Sequence, residues 1–143
     1  MGDLITRLGH IRRGIRALEE LVSKHDINEL IQDFILLNSV LHILQTSIQA
    51  LIDIGTRVLS EMGVKPPSIY REIAKSLKDE EFLTDDESEL MAKIIGFRNI
   101  LVHGYLAINL ELLKEILSAK KYNDIMKLAI KIVEKAQQLG IDP

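Results

Sequence analysis

Leu4, Leu8, Ile11, Ile15, Leu18 and Val22 recur at alternating intervals of four and three, which places them on one stripe of a helix over about residues 3–24. A helix with one apolar stripe packs against another. Asp26 followed by Glu29 gives a start signal for a second helix, and nothing in the sequence breaks it before Gly63 and the pair Pro66-Pro67. Ile69, Ile73 and Leu77 mark a short third helix. Thr84 and Glu87 form a T-x-x-E capping box, and Leu90, Met91, Ile94, Phe97 and Leu101 carry the fourth helix beyond it. Two more follow, over 109–118 and 121–139, with Gly140 as the final stop. Apolar positions nowhere alternate with period two for long enough to make a strand. The expected fold is therefore all-α: one domain over residues 1–143, an antiparallel bundle of five or six helices.

The second helix has an unusual polar face. Between Phe34 and Thr56 the only charged residue is Asp53, while Asn38, His42, Gln45 and Gln49 recur at four, three and four. A solvent-facing stripe normally carries Lys and Glu, whereas neutral hydrogen-bonding side chains suit a buried seam, a subunit interface or a cleft wall. A partly covered stripe is the expectation, with His42 as a core or interface histidine.

Composition narrows the chemistry. The chain has no cysteine, which removes disulfides, thiolate zinc sites and a cysteine nucleophile, and fits a reducing cytoplasm. Charged residues interrupt the long apolar runs, so no membrane span is expected. The net charge of −3 argues against coating nucleic acid through bulk positive charge. Local charge is uneven, however. Residues 1–24 hold Arg7, Arg12, Arg13, Arg16 and Lys24 against Asp3, Glu19 and Glu20, while 79–89 are strongly acidic. The first segment is able to meet phosphates, and either segment alone also reads as a solvated face.

The fourth helix runs into Arg98-Asn99-Ile100-Leu101-Val102-His103-Gly104-Tyr105. An Arg-x4-His spacing is weak by itself, because the composition gives about 0.2 such pairs by chance. Positions five apart also lie about 140° apart around a regular helix, so Arg98 and His103 do not face one atom from the same helix. Either the helix ends here, with Gly104 as its terminator, or two copies of the chain build the site. Asn99, four before His103, is placed to hold a ring nitrogen, and Arg98 and Tyr105 are aligned at a spacing of seven. Phosphodiester cleavage in RNA fits such groups: a base takes the 2′-hydroxyl proton, an acid protonates the leaving 5′-oxygen, and a fixed cation stabilises the phosphorane. Histidine performs the first two tasks near neutral pH, for roughly 10²–10⁴ in rate, and arginine the third. No metal cluster is evident in the sequence, and neither a metal nor another cofactor is expected. The bland alternative is an arginine paired with a carboxylate, a helix-capping histidine and a packed tyrosine.

With Arg98-Asn99, Leu101-Val102-His103 and Tyr105 in place, the chain resembles HEPN-domain toxins of the HepT type and their R-N-x-L-V-H-x-Y pattern. The N-terminal amphipathic helix, the long neutral helix and the "PPSIYREI" stretch extend the likeness over nearly the whole chain. Gly104 and Asn109 depart from the acidic residues common there. The resemblance implies a metal-independent endoribonuclease that dimerises through its helices and places both Arg-x4-His segments in one cleft. It implies Arg98 and His103 as catalytic residues, with Asn99 in support. It further implies a nucleotidyltransferase antitoxin of the MntA type that adenylylates Tyr105. Arg12 and Arg16 are then candidates for RNA contacts. A rival reading is a non-catalytic helical module that binds a nucleotidyltransferase and presents its substrate.

Overall fold

Helix α1 (Asp3–Lys24) buries Leu4, Leu8, Ile11, Ile15 and Leu18, the positions its spacing selects, and leaves Val22 half-buried. A computed structural model of the chain describes residues 2–65, 67–103 and 109–141, with the backbone alone for Val102 and His103. Seven helices and no strand occur among these residues. The expected count of five or six falls short because the second predicted helix is two helices.

The break lies at Asp33, between α2 (Ile27–Gln32) and α3 (Phe34–Glu61). Asp26 caps α2 by accepting from the Glu29 N–H at 3.0 Å, as its sequence signal implies. Asp33 adopts an extended backbone, and its carboxylate accepts the Leu36 N–H at 2.9 Å. A short acidic side chain that satisfies an orphan helix donor favours a new start over continuation.

Helix α3 is the axis of the bundle and packs against α1, α2, α5 (Asp85–His103), α7 (Asn123–Gln138) and α4 (Arg71–Asp79). Contrary to the expectation from charge, it is long and apolar enough to cross a bilayer. From Val40 onward many of its apolar residues are packed inside the bundle: Val40, Leu44, Leu51, Ile54, Val58 and Leu59 are at most 1 % exposed, whereas Phe34 and Ile35 at its start are open to solvent. Burial among other helices accounts for a continuous apolar run of this kind.

Close approaches fix the neighbours. A β-carbon on Gly14 of α1 would collide with the hydroxyl of Ser47 on α3, so the two backbones meet where glycine removes the side chain. On another side of α3, a β-carbon on Gly55 would lie 3.0 Å from Ile73 and 3.1 Å from Leu77, which seats α4. The buried Ser88 hydroxyl then donates to the Ala74 carbonyl at 2.9 Å and ties α4 to α5.

The Thr84 capping box forms as predicted. The Thr84 N–H donates to the Glu87 carboxylate at 2.8 Å, and the Glu87 N–H to the Thr84 hydroxyl at 3.3 Å. Asn109 caps α6 (Leu110–Ser118) by accepting from Glu111 and Leu112. The chain then turns into α7, whose buried face includes Ile125, Leu128, Ile132 and Ala136. Glu19 of α1 accepts from Lys120 at 3.1 Å and Asn123 at 3.3 Å, holding the turn between α6 and α7. The Lys120 bond keeps the Glu19 carboxyl below its ordinary range.

Candidate active site

Met91 and Ile95 of α5 are completely buried, and Leu101 nearly so. At about 100° per residue, Arg98 falls in the middle of the stripe those three define. A cation therefore occupies a position that the helix otherwise reserves for the core. Its side chain is half-buried, and its Nε–H is shielded from solvent without a hydrogen-bond acceptor. Among the described residues no carboxylate pairs with it. Its neighbours are the ring of Tyr70, 5.4 Å from guanidinium carbon to ring centroid, and the Asn99 side-chain oxygen, a long 3.4 Å from Nη1. The first component of the bland alternative, an arginine neutralised by an acid, is thus not found among the described residues.

Helix α5 continues to His103, so it does not end between Arg98 and His103. Positions five apart on one regular helix lie about 140° apart around its axis. Ile100 is 45 % exposed. The side chain of His103 and all of Gly104 and Tyr105 lie outside the described residues, as do the expected Asn99–His103 and Arg98–Tyr105 alignments.

Arg12 and Arg16 are exposed on α1, free of hydrogen bonds and ion pairs among the described residues. Their helix packs on α3 and α7 and makes no substantial contact with α5, so a single chain does not bring them to Arg98. Arg7, on the same helix, is different. It bonds Asp3 and Asp53, each at 2.9 Å, and the Asp3 hydrogen bond is the main cause of its raised pKa.

The neutral stripe of α3 divides. His42 is exposed rather than a core histidine, and Asn38 donates to the Phe34 carbonyl at 2.8 Å. Gln49 is half-buried and donates to Asp53 at 2.9 Å in the seam with α1. Asn38, Gln45 and Gln49 are thus half-buried, and His42 alone of the four is exposed.

Two cavities open on the surface. One, of about 440 Å³, is an apolar groove between α3, α5, α6 and α7 that includes Ile48, Phe97, Leu112 and Ile125. The other, of about 420 Å³, lies in the α1–α3 seam around Arg7 and His10. Arg98 lines neither. Among the described residues, no group of three or more His, Asp or Glu has an arrangement that would hold a metal ion. Tyr70, whose ring lies against the Arg98 guanidinium, escapes sequence reasoning as a site residue. It is 28 positions away, immediately before α4, and its only trace is the "PPSIYREI" stretch.

The chain is similar to proteins described as ribonucleases. The family model described as "Ribonuclease HepT-like" matches residues 11–132, and the chain belongs to that family. Among its relatives is the mRNA nuclease HepT of Shewanella oneidensis, 30% identical over 113 residues that make up 78% of this chain and 84% of that protein. A putative RNase of Archaeoglobus fulgidus is 26% identical over 102 residues, 71% of this chain and 75% of the other. Among solved structures, the tri-AMPylated Shewanella oneidensis HEPN toxin in complex with an MNT antitoxin superposes with a TM-score of 0.82 at 26% identity. That match covers 94% of this chain and 99% of the toxin. The cytosolic protein YutE of Bacillus subtilis, at 21% identity and a TM-score of 0.80, shares the fold over 99% of this chain and 95% of its own.

Proposed function

We propose that this chain is a toxin endoribonuclease that works as a homodimer without a metal ion, with Arg98 and His103 of both protomers lining one cleft. The observation that carries the reading is Arg98 itself: a half-buried guanidinium on a core stripe, with no counter-charge among the described residues. Burying a charge is costly unless it is paired. A scissile phosphate is the partner that repays such an arrangement, because guanidinium and phosphate match in charge and in forked geometry.

The backbone geometry supports two protomers. Helix α5 runs unbroken to His103 and leaves Ile100 exposed, so a second copy packed there supplies the other half of the site. In the reaction, His103 of one protomer takes the proton from the 2′-hydroxyl as that oxygen bonds to phosphorus. His103 of the other gives a proton to the departing 5′-oxygen as the P–O bond breaks. The products are a 2′,3′-cyclic phosphate and a free 5′-hydroxyl. The two Arg98 side chains hold the non-bridging oxygens while negative charge builds on them. Asn99, beside Arg98, supports this arrangement.

The AMPylated relative bound to an MNT antitoxin supports a matching control here, with a nucleotidyltransferase antitoxin placing AMP on Tyr105. A bulky anion next to the cleft excludes RNA by volume and by charge. Exposed and unpaired, Arg12 and Arg16 are suited to contact RNA phosphates away from the scissile bond; reversing their charge then weakens RNA binding and flattens its salt dependence.

The test is an RNA cleavage assay on the purified chain, with and without excess chelator, beside His103→Ala. Cleavage that survives the chelator and disappears in the variant, with the helical circular dichroism retained, is the expected result. A pure wild-type chain that cuts no RNA at any pH yet binds a nucleotidyltransferase would instead favour the presenting module.

A further inference from the structure

The ring beside Arg98 has its own consequence. A carboxylate in that position would occupy the guanidinium's N–H donors and cancel its charge. An aromatic face attracts the cation through its quadrupole and takes neither. Tyr70 is well placed for this task, since it precedes α4, a helix locked against α3 at Gly55 and tied to α5 by the Ser88–Ala74 hydrogen bond. The ring is 41 % exposed and contributes little to the core, so burial alone does not explain its place. The Arg98 Nε–H, sealed without an acceptor, shows that the root of the guanidinium is held by contact rather than by hydrogen bonding.

We propose that Tyr70 is a positioning residue for RNA cleavage: its ring face fixes the Arg98 guanidinium while leaving the cation's charge and terminal N–H donors available for the phosphate. This rests on Arg98 being the phosphate-binding group. The relevant property is the ring and not the hydroxyl, so Phe is able to replace Tyr and an aliphatic residue of similar bulk is not.

The experiment compares the full chain with Tyr70→Phe and Tyr70→Leu in single-turnover cleavage of an RNA oligonucleotide, and repeats Tyr70→Leu in an Arg98→Ala background. Loss of the cation–π contact should lower the cleavage rate of Tyr70→Leu by roughly 3- to 30-fold, with little change in KM. Tyr70→Phe should recover the rate, and Tyr70→Leu should cost nothing further once Arg98 is gone. In parallel, nitrogen-15 NMR of the same proteins should show the Arg98 guanidinium signals displaced by the ring in wild type and Tyr70→Phe, and returned to ordinary positions in Tyr70→Leu.

The proposal is overturned if Tyr70→Leu cleaves at the wild-type rate, if Tyr70→Phe is as impaired as Tyr70→Leu, or if the loss persists unchanged in the Arg98→Ala background. A wild-type chain that cleaves no RNA removes the nuclease reading instead. The NMR displacement then still reports whether the ring holds the cation.

Discussion

Arg7 and Arg98 are both half-buried arginines on helices of one bundle, and their surroundings are opposite. Arg7 sits in the α1–α3 seam between Asp3 and Asp53, each at 2.9 Å, with Gln49 bonded to the second of them. Its charge is balanced at home. Arg98 lies on the core stripe of α5 against the Tyr70 ring and a distant Asn99 oxygen, with no acid among the described residues. The first completes the fold. The second leaves an interaction open, and an open cation at a core position is what a phosphate-handling site needs.

The sharpest way to break this contrast is to remove each arginine in turn. Arg98→Ala should lower RNA cleavage by roughly 10²–10³-fold, the scale of losing one preorganised donor to a developing oxyanion, while leaving the melting temperature unchanged or higher. Arg7→Ala should do the reverse. Its ion pairs are more than a third exposed, so the discounted loss is about 0.5–1 kcal/mol, read as a fall of a few degrees in Tm with the cleavage rate intact. Equal effects of the two variants on rate, or on Tm, would erase the distinction.

The seam around Arg7 also gives the next largest effect. Gly14→Ala pushes a methyl group against the Ser47 hydroxyl and should destabilise the chain by roughly 1–3 kcal/mol in denaturant unfolding. Ser47→Ala removes a buried hydroxyl that has no partner among the described residues. It should be nearly neutral alone and should recover part of the Gly14→Ala loss when combined with it. Asp33→Ala, which deletes the cap between α2 and α3, should cost about 1 kcal/mol by the same measurement.

The smallest effect is a pH dependence. Glu19 has a folded pKa below its ordinary value, so the folded state binds fewer protons and the contact stabilises the chain above the ordinary glutamate range. That stability is lost as the pH falls through the folded value. The Tm gap between wild type and Glu19→Gln should therefore be present near neutral pH and close in acid. A gap that widens in acid would reverse the sign.

Much of the scaffold was legible because its signals are local. The four–three spacing of Leu4 to Leu18 selected the buried face of α1, Thr84 and Glu87 located the start of α5, and Gly63 and Gly140 adopt the positive φ angles, 76° and 75°, of helix terminators. Asp33 was missed for a physical reason. The apolar spacing runs through it from Ile31 to Val40, and Leu36 replaces the glutamate that completes a capping box. Gln49, at the end of the α3 stripe, belongs to the Arg7 seam through Asp53, a pairing that involves α1 and leaves no periodic trace. The site itself was half legible. The octet named Arg98 and His103 as candidates, but no local pattern announces a ring 28 positions away, nor that the helix continues past Arg98 as far as His103.

The central claim is that one active site needs two chains, and mixing tests it most directly. Wild-type and His103→Ala chains are combined in varying proportion at constant total concentration, allowed to exchange subunits, and assayed for RNA cleavage. If the histidines of both protomers serve one cleft, activity falls as the square of the wild-type fraction. A fall in simple proportion to that fraction would mean that each chain cuts alone, and would contradict the account.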